Sequence, residues 1–128
     1  MKRFLGRISE QLYSLMRLVV GFLFACHGAQ KLFGALGGQK QELMSLMGAA
    51  GAIEFFGGLL IAIGLFTTWA AFISSGQMAV AYFMAHARNG TLPIRNRGEL
   101  AVVYCFLFLF IAAHGGGRFS VDGARKHS

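Results

Sequence analysis

From Leu43 to Ala87 the chain carries one formally charged residue, Glu54, set in the middle of an apolar run. That run is too long for one ordinary buried helix. It fits two membrane-spanning helices joined by a tight turn, because one span takes about 20 apolar residues. A carboxylate at bilayer depth costs roughly 3 kcal/mol on insertion scales, so it has to face protein or water and not lipid. Glu54 is therefore the first candidate for a polar centre.

The remainder of the chain has the same character. Of 128 residues, 55% are hydrophobic and only 13% charged, and 18 are glycine. Soluble domains carry about 25% charged residues, so this chain has too few to cover a globule in water. Glycine within apolar segments suits membrane helices, where small residues let backbones approach closely. The expected fold class is all-α: an integral membrane, four-transmembrane-helix up-down bundle forming one membrane domain over residues 1–128. Spans are expected near residues 12–33, 43–65, 67–86 and 99–114. Phe66-Thr67-Thr68-Trp69 forms the turn between the second and third. Asn89-Gly90, Pro93 and Asn96-Arg97-Gly98 mark a loop, and Gly115-Gly116-Gly117 ends the fourth helix. The basic start, from Met1 to Arg7, has the character of a signal peptide. No small-residue cleavage site follows a short apolar core, so it leads into a retained first span.

The formal charge is +7, with the cations at the edges of apolar segments: Lys2, Arg3 and Arg7 at one end, Arg88, Arg95 and Arg97 in the loop, Arg118, Arg125 and Lys126 in the tail. This placement suits the lipid bilayer as partner, and no basic-aromatic platform supports nucleic acid. Four spans put both termini on one side, with seven Lys and Arg there against five on the other. The bias places the termini in the cytoplasm.

Counting along the helices brings the polar residues into two levels. Glu54 and Gln77 lie near the midplane, and Arg17 about 9 Å nearer the cytoplasmic side, within reach of its long stem. Arg17, Glu54 and Gln77 are expected to form an intramembrane polar relay. Gly51, Glu54 and Gly58 share a helical face, so the plainer alternative is a packing seam held by one protonated Glu. At the other end His27, Lys31, His86 and Glu99 are expected to line a polar mouth suited to an anion, a quinone carbonyl or proton shuttling. The plainer alternative has the cations anchoring helix ends and the histidines satisfying backbone carbonyls. Cys26 and Cys105 share a level on neighbouring helices, which allows a thiol pair, although buried cysteines are more often inert. No zinc-ligand spacing, P-loop or nucleophile elbow is present. Haem ligation by His27 and His86 has no haem motif behind it, and the cofactor stays open, a quinone being one group the mouth would suit.

The sequence Arg17-x-x-x-Gly21-x-x-Phe24-x-x-His27-Gly28-x-x-Lys31-Leu32-Phe33-Gly34 resembles the opening signature of the DoxX family of small four-helix membrane proteins. Collinear matches follow at Glu54 with Gly57-Gly58, at Ala81-Tyr82-Phe83 and His86, and at Asn96-Arg97-Gly98-Glu99. A last match runs from Gly115 to Asp122. Asn-Gly-Gly-Glu and Gly-Pro-Gly are the commoner family forms at residues 96–99 and 115–117. The resemblance implies a multi-pass protein of the bacterial inner membrane. Family members are linked to thiosulfate:quinone oxidoreductase subunits and to a membrane complex joining superoxide and thiol detoxification. The function expected on this basis is a subunit of a quinone- or thiol/sulfur-linked redox system. Its enzymatic role would be as part of a membrane oxidoreductase, with soluble or membrane redox enzymes as partners. Rival expectations are a non-catalytic scaffold recruiting such enzymes, or a small-solute transporter acting as a homo-oligomer.

Overall fold

The only proline, Pro93, lies outside the apolar segments, so nothing interrupts their i to i−4 hydrogen bonding and they form helices. The computed structural model describes residues 1–34, 46–83 and 98–126. Its helices are α1 (Lys2–Arg7), α2 (Ser9–Phe33), α3 (Leu46–Ile63), α4 (Thr67–Ala81), α5 (Glu99–His114) and α6 (Val121–Lys126). The described residues contain no strand, and the fold is all-α. Ser9–Phe33 is long and apolar enough to cross a membrane by itself; Gly48–Ile63 and Glu99–His114 are apolar but shorter. The helix expected from Leu12 begins at Ser9, after a break at Ile8. The loop signals from Asn89 to Arg97 fall outside the described residues, as does His86.

Helices α2 and α3 pack antiparallel along small residues: Gly21 lies against Gly58 and Ala62, and Gly28 against Gly51 and Phe55. The approach is backbone to backbone. A Cβ placed on Gly28 would sit 2.2 Å from the Phe55 amide nitrogen, a distance no real side chain tolerates. Helix α4 returns antiparallel to α3 after a turn in which Gly64 (φ +74°) and Phe66 (φ 50°) are left-handed. Helix α5 closes the bundle through aromatic rings: Phe24 of α2 stands 5.3 Å from Tyr104 and 4.6 Å from Phe108, centroid to centroid. Phe24, Ile61, Ala71, Phe108 and Ile111 form the core. The outward faces carry Phe22, Phe56, Phe72, Phe106 and Phe110, all exposed.

Candidate functional site

Helix geometry sets the first polar cluster. Every Cα–Cβ bond tilts toward its helix N-terminus. On antiparallel helices, Lys31 near the end of α2 therefore leans back into the bundle, while Glu54 of α3 leans toward the end that Lys31 occupies. The two meet: the Lys31 ammonium pairs with Glu54 Oε2. Gln77 Nε2 of α4 donates to the same oxygen at 3.2 Å. The Glu54 side chain is 2% exposed and that of Lys31 25%, so the cluster is buried at its carboxylate and open at its ammonium. Gln77 Oε1 is buried, with no hydrogen-bond partner among the described residues. The site thus offers a cationic donor beside an unsatisfied acceptor.

Around this cluster, His27 stands edge-on to Tyr104, with ring centroids 6.3 Å apart. Glu54 and Cys26 are electrostatic neighbours of Tyr104. Of the four residues expected to line a mouth at this end, three are described and His86 lies outside the described residues. Lys31 turns inward to Glu54, His27 faces Tyr104 of α5, and Glu99 stays exposed in the first turn of α5, where a negative charge suits the helix dipole. Cys26 and Cys105 are free thiols. Cys105 lies against Ser75, whose hydroxyl donates to the Cys105 carbonyl at 2.7 Å. No metal-binding group of three His, Cys, Asp or Glu exists among the described residues.

Arg17 does not join Glu54 and Gln77. Its side chain leans toward the opposite end, where the last carbonyls of α3 lack intrahelical partners. Nη1 donates to Ile61 O and Ala62 O, each at 3.2 Å, and Nη2 to Phe119 O at 2.8 Å. A cation there also suits the negative end of the α3 dipole. The relay expected from stem length alone overlooked these nearer acceptors.

The same end is clasped by the segment after α5. Asp122, the only aspartate in the chain, accepts from Phe66 N (2.9 Å), Thr67 N (2.9 Å) and Thr67 Oγ1 (2.7 Å). It caps α4 from a distant part of the chain. Burial opposes its ionisation, but the bonds from Thr67 and Phe66 outweigh it and hold the carboxyl below its ordinary value. Asp122 N donates to Gly64 O at 2.8 Å, and Tyr13 Oη to Gly115 O at 2.6 Å. Sequence reasoning did not single out Asp122 as a functional residue. The available signal was that no Ser, Thr, Asn or Asp precedes Thr67 to cap α4.

The model of the DoxX family matches residues 12–87, a segment that holds Arg17, Lys31, Glu54 and Gln77. An uncharacterized protein of Haemophilus influenzae is 40% identical over 116 residues, covering 85% of this chain and 87% of that protein. No solved structure matches. With well over half of its length matched by the family model and a relative of this similarity along most of it, the chain belongs to the DoxX family.

Proposed function

We propose that this protein is a four-span integral protein of the bacterial inner membrane, termini in the cytoplasm, and a subunit of a quinone- or thiol-linked redox system. In this proposal the Lys31–Glu54–Gln77 cluster receives a quinone-type head group. The membrane part is supported by the inside-out distribution of polarity. Phenylalanines cover the outside, while the charged pair is turned inward; soluble monomers rarely expose so large an apolar surface. Helices α3 and α5 have 18 and 16 residues, about 27 and 24 Å of rise, and a modest local thinning accommodates them.

The observation that carries the ligand part is the inward turn of Lys31 onto a buried carboxylate beside an unsatisfied amide oxygen. A quinone carbonyl would accept from the Lys31 ammonium, and a hydroxyl of the reduced form would donate to Gln77 Oε1. Reduction to the quinol takes two electrons and two protons, and Glu54 would pass the protons one at a time, regaining each from the aqueous side. Electrons would come from a partner enzyme, since the chain has no redox-cofactor motif of its own.

The test is ubiquinone or menaquinone binding to the purified protein in nanodiscs, wild type against Lys31→Ala and His27→Ala. Loss of one charge-assisted hydrogen bond is worth about 1.5–3 kcal/mol, so Lys31→Ala should weaken binding by roughly 10- to 100-fold. Equal affinity in all three proteins, or binding in none, removes the quinone site.

A further inference from the structure

The short first helix has no part in the polar cluster, and its surface is two-sided. Met1, Phe4, Leu5 and Ile8 recur at the spacing of one helical stripe, and Lys2, Arg3 and Arg7 occupy the rest of the circumference. The three cations are exposed, and among the described residues no carboxylate pairs with them. The acids at this end are engaged elsewhere: Glu10 accepts from Arg118 N at 3.1 Å, and Asp122 caps α4. Beside the basic turn an open, mostly apolar groove runs from Met1 and Leu5 past Leu12 and Tyr13 to Met16, with Lys2 among its walls. Its apolar wall continues onto the exposed Leu12 and Leu15 of α2.

We infer that this groove is a binding site for one anionic phospholipid, its acyl chain along Leu5, Leu12 and Met16 and its phosphate against Lys2, with Arg3 and Arg7 on the same short helix adding to the positive field. The occupant follows from the two halves together. An open groove with apolar walls beside the exposed Leu12 and Leu15 suits an acyl chain, and Lys2 in its wall with Arg3 and Arg7 nearby selects a negative head group. The inference rests on the membrane part of the proposal above and not on the quinone site. Each basic side chain near an anionic lipid surface strengthens attraction by about fivefold, so three give a preference of at least tenfold over a zwitterionic lipid after screening.

Native mass spectrometry of the full chain, with phosphatidylglycerol and phosphatidylcholine of identical acyl chains supplied in equal amounts, reads this directly. Wild type should retain phosphatidylglycerol at least tenfold over phosphatidylcholine. Lys2→Gln/Arg3→Gln/Arg7→Gln should bring the two to parity, and Leu5→Gln should weaken retention of both. Free glycerol phosphate should not be retained. Parity in wild type, an unchanged preference in the triple variant, or glycerol phosphate held as well as the lipid would overturn the site. The triple variant should keep wild-type quinone affinity and stay in the membrane through carbonate extraction. Release of the wild-type chain by carbonate would instead overturn the four-span proposal, and the lipid site with it.

Discussion

The pairing of Lys31 with Glu54 makes an asymmetric prediction. In Lys31→Met the carboxylate, 2% exposed, keeps the Gln77 amide as its one donor among the described residues. Removing one partner of a buried ion pair costs about 3–5 kcal/mol. Protonating an ordinary glutamate at pH 7 costs about 3.7 kcal/mol, which caps the penalty because the carboxyl can take up a proton instead. The loss in Lys31→Met should therefore be about 3–4 kcal/mol. In Glu54→Gln the surviving ammonium sits two residues from the end of α2, already 25% exposed, and can swing out to water. That variant should lose only about 1–2 kcal/mol, the net value of a charge-assisted bond partly replaced by the amide. The double variant carries neither charge and should resemble Glu54→Gln, giving a coupling of about 3–4 kcal/mol by the cycle. Helix content followed by circular dichroism during SDS titration in mixed micelles measures all four proteins. A cycle additive to within about 0.5 kcal/mol, or Glu54→Gln proving the costlier change, would refute the buried pair.

Gly28→Ala should destabilise by about 1–3 kcal/mol, as in overpacked cores, because its Cβ meets the Phe55 backbone; the same titration measures it. Asp122→Asn should lower the thermal midpoint at neutral pH, and the difference from wild type should shrink on acidification. The folded carboxyl lies below its ordinary value of 3.8, so its contribution is full above that pH and is lost as pH falls through the lower folded value. Arg17→Lys should not rescue Arg17→Met, since one ammonium cannot reproduce the fork that reaches Ile61, Ala62 and Phe119 together. Comparing their unfolding midpoints checks it.

What the sequence disclosed, and what it hid, follows from the kind of geometry each feature needs. Helical character was legible in the apolar runs, and the shared level of Glu54 and Gln77 in simple counting, because rise per residue is constant. Counting along the helix puts Lys31 at the mouth, one turn beyond His27. Its Cβ direction and an antiparallel carboxylate reverse that expectation. Arg17 was misassigned for a related reason: reach was weighed, but the unsatisfied carbonyls of a neighbouring helix end were not. Asp122 lies 55 and 56 residues from the two amides it caps, a pairing that local patterns do not encode.

The central claim, that the polar cluster sits at hydrocarbon depth within a spanning bundle, is tested most directly by a spin label at Phe56. This residue is exposed on α3 two positions from Glu54 and points away from the cluster. With Cys26 and Cys105 replaced by alanine and the protein in liposomes, the label at Phe56→Cys should collide freely with oxygen and scarcely with a water-soluble nickel chelate. A label at Ala124→Cys, exposed on α6, should be far more accessible to the chelate. Equal chelate access at the two positions would contradict the account.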